Sequence, residues 1–150
     1  DHGFHLGEKD HIEKFVLWEK ANHVPFIISA PGIGTPGSRC ETPVDLTVLY
    51  PTLLDLCGIK NRSYYDGKSA LPLLKNPKAE WDHPAISTYG RNNHTLRTQR
   101  WRYIRYADGT EELYDHQNDP NEWTNLAKLE SAQAHLAKLR DQLKFSQGRK

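Results

Sequence analysis

Residues 94–115 read HTLRTQRWRYIRYADGTEELYD. Runs rich in β-branched and aromatic residues flank Asp108-Gly109, a dipeptide that favours a tight hairpin because it tolerates positive φ. The preceding PAISTYG (84–90) has the same strand-forming composition. Beyond the hairpin, Leu129, Ala132, Leu136, Leu139 and Leu143 step by three and four residues, the spacing of one helix face. These patterns predict an antiparallel sheet over 84–115 covered by a helix over 129–146, an α+β unit.

Working outward toward the N-terminus, the pattern changes. PFIISAPG (25–32) is a compact apolar run bounded by Pro and Gly, which predicts an interior strand over 25–30. ETPVDLTVLYPTLLDLCGI (41–59) predicts a helix over 43–57. Thr42 suits its N-cap, Pro43 its first turn and Gly58 its stop, while Pro51 must kink or split it. FVLWEKANH (15–23) has room for a short helix, and 61–84 is loop-rich, punctuated by Pro72, Pro77 and Pro84. The chain is therefore read as two parts, 1–83 and 84–150.

Composition narrows the function classes. The 150 residues carry a net charge of +1 and a mean hydropathy of −0.78. No apolar run approaches the roughly 18–20 residues of a membrane span, and the balanced charge exerts no global pull on nucleic acid. Arg97, Arg100, Arg102 and Arg105 interleave with Trp101, Tyr103 and Tyr106. Charge plus stacking can bind single strands, but the same pattern describes a two-faced strand with Arg stems packed over rings. The neutral balance favours the second reading, so no nucleic-acid partner is expected. A non-catalytic binding module built on this sheet is kept as an alternative. Asn61 and Asn93 each begin an N-x-S/T pattern.

The first fifteen residues, DHGFHLGEKDHIEKF, concentrate ionisable side chains. DHGFHLGEKDHIEKFVLWEKANHVPFIISAPG (1–32) resembles the C-terminal portion of the sulfatase family, within the alkaline phosphatase superfamily, and most of all its iduronate-2-sulfatase-like branch. PVDLTVLYPTLLDLCGI (43–59) resembles the helix that follows in that family, and LRTQRWRYIRYADGTEELYDHQNDPNEWTNLA (96–127) its C-terminal subdomain. The resemblance implies an α/β alkaline-phosphatase-like fold, of which 1–83 is the C-terminal part of the large mixed sheet. A small α+β subdomain over 84–150 follows.

It also implies a sulfuric ester hydrolase acting on sulfated carbohydrate. Sulfate transfer must stabilise negative charge, which a divalent cation and fixed ammonium groups do directly. By resemblance, Asp1 and His2 ligate the metal and Lys14 contacts the sulfate. His11 and Lys9 are secondary candidates, and Arg91 and His94 are placed toward the anionic sugar. Lys9→Ala is expected to stay close to wild type. Calcium is the metal implied. Zinc or manganese would suit the alternative, a metal-dependent phosphodiesterase or phosphonate hydrolase of the same superfamily. The family's formylglycine arises from a Cys/Ser-x-Pro/Ala-x-Arg motif, and neither Cys40 (CETPV) nor Cys57 (CGIKN) fits it. The nucleophile is thus expected from the N-terminal part of the same enzyme, and these residues alone are expected to be inactive. A periplasmic, secreted or lysosomal location follows from the resemblance.

Overall fold

Alternation along the strands decides the architecture. In the computed structural model, which describes residues 3–60 and 66–147 with side chains through Lys144, two short strands come first, β1 (His5–Leu6) and β2 (Ile12–Glu13). The predicted hairpin region forms β3 (Ala85–Thr88), β4 (His94–Arg97), β5 (Trp101–Arg105) and β6 (Glu111–Asp115), an antiparallel meander in that order. Asp108-Gly109 makes the β5–β6 turn: the Tyr106 and Thr110 backbones pair at 2.9 Å, and Gly109 takes φ +85. The Asp108 carboxylate accepts the Thr110 amide at 2.9 Å.

Register then sorts the side chains. Ile86, Leu96, Tyr103 and Leu113 line up across the four strands on one face. The segment 126–132 and the final helix cover this face, burying Leu136, Leu139 and Leu143 against Leu96, Tyr103 and Leu113. Each such side chain contributes about 1.5–3 kcal/mol when fully buried. Thr95, Ile104 and Glu112 fall on the opposite face with Arg97, Arg102 and Tyr114. This face is also covered, because Leu17 and Trp18 pack on Ile104 and Tyr114. The sheet is a middle layer.

The helices are α1 (Glu19–Asn22), α2 (Leu49–Leu56), α3 (Leu71–Lys75) and α4 (Gln133–Gln147). The helix expected over 43–57 begins later, with a 3-10 turn at Leu46–Val48 leading into α2. Asp45, not Thr42, is its cap. Its carboxylate accepts the Thr47 amide at 3.0 Å and the Ile86 amide of β3 at 3.0 Å, holding the chain extended up to residue 45. Pro51 does not split the helix, because it sits in the first turn of α2. It leaves the Thr47 carbonyl without an i+4 donor, and Gly67 lies against that oxygen so closely that a Cβ would overlap it. Gly58 ends the helix as expected, at φ +67. A satellite core of Val48, Ala70 and Leu73 lies beneath, tied by Thr52, which donates to the Val48 carbonyl and accepts the Ala70 amide.

The interior strand expected over 25–30 is not formed. Residues 23–30 have no strand partner among the described residues, and Ile27 is 89% exposed. A strand is defined by its neighbour's hydrogen bonds, which an apolar run cannot supply itself. No helix of the described residues is long and apolar enough to cross a membrane.

Candidate active site

The candidate site is the N-terminal loop laid over the second face of the sheet. β1 and β2 pair antiparallel, with His5 opposite Glu13 and Leu6 opposite Ile12. The turn between them needs positive φ three times, at Gly7 (+123), Lys9 (+57) and Asp10 (+55). Two successive non-glycine residues in the left-handed region are a strained arrangement that surrounding contacts must hold.

Those contacts centre on Lys9. Its ammonium lies 4.7 Å from the Trp18 ring and 4.5 Å from the Tyr114 ring. It donates to the Tyr114 hydroxyl at 3.0 Å and to the Glu122 carbonyl. Glu112 holds the two rings of this cage, its carboxylate accepting Trp18 Nε1 at 2.7 Å and the Tyr114 hydroxyl at 2.8 Å. Burial, then the Glu112 charge, pushes the Tyr114 phenol well above its ordinary range. Lys9 is thus enclosed between rings and engaged by two oxygens. Losing it would break a packed contact, which revises the expectation that Lys9→Ala is neutral.

His5 and His11 adjoin this cage. His5 is buried, and its ring lies 5.5 Å from Trp18 and 6.3 Å from His11. Its Nδ1 donates to the Glu8 carbonyl at 3.2 Å, since a carbonyl can only accept; Nε2 has no hydrogen-bond partner among the described residues. His11 packs edge-on to Trp18, with Nε2 3.4 Å from a Glu13 carboxylate oxygen.

Lys14 is set apart from this group. It is exposed at the end of β2, and its ammonium is 5.5 Å from the Phe15 ring. Phe15 stacks on Tyr89 at 5.8 Å, just after β3, so the Lys14 end of the loop rests on the β3–β4 connection. That connection holds Arg91, which is exposed. His94 follows at the start of β4, with Nδ1 2.9 Å from the Thr88 hydroxyl. Burial and then the Arg105 charge lower its pKa, so His94 leans toward the neutral form. Asn93 is engaged, accepting the Ala107 amide at 2.9 Å and donating to the Arg91 carbonyl. Asp1, His2 and Asn61 lie outside the described residues.

Sequence reasoning missed a buried ionic cluster below the loop. Arg102, 2% exposed, pairs with Glu122 at 2.5 Å and with Glu19, and donates to the Leu17 carbonyl at 3.1 Å. His116 bridges Glu122 and Arg97, each at 2.8 Å. Burial pushes the Glu19 carboxyl up, but Arg102 and Arg97 outweigh it and hold it below the ordinary carboxylate range. Ligand atoms of Glu19, His116 and Glu122 lie within 4.8 Å of one another, yet two guanidiniums already neutralise them, leaving no net charge to attract a cation. The alternation signal was available: Arg102 shares a strand face with Ile104. Arg97 and Arg102 are engaged in these ion pairs, and Arg100 is held by Asp115.

The architecture is a meander closed by a helix on one face, with an ionisable N-terminal loop laid over the other. The chain belongs to the family described as N-sulphoglucosamine sulphohydrolase, C-terminal, whose pattern matches residues 7–149. It is 40% identical over 145 residues to a sulfatase of Formosa agariphila, covering 92% of this chain and 28% of that protein. A putative sulfatase of Bacteroides thetaiotaomicron superposes with a TM-score of 0.76 at 31% identity, over 96% of this chain and 34% of that one. A second solved structure, in complex with its substrate D-glucosamine-2-N,6-O-disulfate, superposes with a TM-score of 0.81 at 26% identity, over 97% and 33%. The chain therefore spans about a third or less of the relatives it matches. None of these likenesses singles out the iduronate-2-sulfatase-like branch.

Proposed function

We propose that this chain is the C-terminal part of an enzyme that hydrolyses sulfate esters of carbohydrate, with 1–83 closing the catalytic α/β domain and 84–150 forming a supporting subdomain. The observation that carries the reading is the superposition over 97% of the chain on a structure bound to a sulfated glucosamine. Lys14 is the sulfate contact in this reading: a compact ammonium with three donors suits the transferring group, and the residue is exposed. Arg91 and His94, at the connection supporting that end of the loop, would face the anionic sugar. Asp1 and His2 would hold a divalent cation, whose role is to withdraw charge from the sulfuryl oxygens. The carboxylate suits calcium and the imidazole a transition metal. The nucleophile would come from outside these 150 residues, since neither cysteine lies in the required motif. Sulfated carbohydrate places the enzyme outside the cytoplasm, in a periplasmic, secreted or lysosomal setting.

The test uses the full-length enzyme. Lys14→Ala should lower kcat/KM on a sulfate ester by on the order of 10²–10³ while metal content, read by elemental analysis, is unchanged. Asp1→Ala should lose bound metal and activity together. Full sulfatase activity in Lys14→Ala would remove the assignment, and turnover of phosphonate esters alone would favour the phosphodiesterase alternative.

A further inference from the structure

We infer that Glu122 is the positioning residue for Lys14, an inference that rests on the sulfate-contact reading of Lys14. The loop from Lys9 to Glu19 leaves the sheet and returns to it, and both of its feet stand on Glu122. Lys9 donates its ammonium to the Glu122 carbonyl, and the Glu19 amide donates to the Glu122 carboxylate at 2.8 Å. Lys14 lies midway between these anchors, five residues from each.

Glu122 is built to be immobile. It is 1% exposed, and its carboxylate also pairs with Arg102 and His116. Its backbone takes φ +61, a conformation a glutamate adopts only when its surroundings impose it. The loop carrying it is pinned by side chains: Asp119 accepts the Thr124 amide at 2.8 Å, and Asn125 accepts the Leu113 and Ala127 amides at 3.0 and 2.9 Å. Arg102 reinforces the second foot through Glu19 and the Leu17 carbonyl. The sheet thereby carries the register of β6 and its following loop to the loop that presents Lys14. An ammonium acting on a developing charge is sensitive to displacements of about 1 Å, which gives this clamp a kinetic consequence.

The experiment compares Glu122→Gln with Glu111→Gln in the full-length enzyme, using D-glucosamine-2-N,6-O-disulfate as the probe. Glu111 pairs with Arg140 of the covering helix at 2.6 Å in the same subdomain and touches neither foot. Glu122→Gln should lower kcat by on the order of 10- to 100-fold with KM within about twofold. It should also raise hydrogen exchange at the amides of residues 10–18. Glu111→Gln should lower the melting temperature without either effect. Should Glu122→Gln fail to fold, Lys9→Met removes the other foot while its thioether keeps contact with the Trp18 and Tyr114 rings, and it should move both readouts the same way. Unchanged exchange over 10–18 would overturn the clamp, and raised exchange with unchanged kcat would overturn its positioning role. A wild-type enzyme without sulfatase turnover would refute the sulfatase reading, while the exchange measurement would still decide the clamp.

Discussion

At the scale of single residues, the charged groups of this chain divide by what surrounds them. Lys14 is exposed, whereas Lys9, five residues earlier, is half-buried, enclosed by two rings and bound to two oxygens. Sequence spacing ranked them as neighbours of similar kind, and burial separates their roles. Asp115 gives a pH-dependent prediction. Two hydrogen bonds from Arg100, at 2.8 and 2.7 Å, are the main cause holding its carboxyl down at about 2. The ordinary aspartate value is near 3.9, so the unfolded chain binds the proton first as pH falls. The stabilisation is fully present above about pH 4 and is lost between about pH 4 and pH 2. Urea midpoints measured across that window should fall in the wild type. Asp115→Asn should be less stable at neutral pH and show a shallower decline. Equal slopes for the two proteins would show that this pair does not contribute.

At the scale of elements, caps and close approaches matter more than propensity. The helix over 43–57 was legible from its apolar spacing, but its start was not. Asp45 takes the cap because its second oxygen also reaches the Ile86 amide on β3, a partner 41 residues away. Gly67 has a comparable long-range cause, since it lies against the carbonyl that Pro51 leaves without a helical donor. Gly67→Ala should force either α2 or the 66–70 segment to shift. The loss should be about 1–3 kcal/mol in denaturant titration, the usual cost of overpacking. Gly37→Ala makes a useful comparison: nothing lies within 4 Å of its Cβ position, although its φ of +76 still exacts a smaller strain. A Gly67→Ala variant as stable as wild type would show that the approach relaxes freely.

At the scale of the whole molecule, the sheet of the second part is covered on both faces, while the first part displays apolar surface. Ile27, Leu6, Ile12, Leu46, Tyr50 and Leu53 are about half to nine-tenths exposed. Apolar patches of this kind mark surfaces that pack against something else or aggregate. These 150 residues expressed alone should be insoluble or partly molten, read by light scattering and near-ultraviolet circular dichroism. A monomeric sample with a sharp cooperative thermal transition would contradict this. The sequence by itself determined the sheet, its hairpin and the covering helix, because period-two and period-three-to-four patterns and a turn dipeptide are local signals. Its three ordered blocks also carried the likeness to sulfatases, which the family match over residues 7–149 supports. Only the tertiary structure decided that Arg102 and Glu122 form a buried pair, that Lys9 sits in a cage, and that residues 25–30 do not form a strand. Each depends on partners distant in sequence: Glu122 reaches Lys9 across 113 positions. A chain pattern records which face a residue occupies, but not what will be packed against that face.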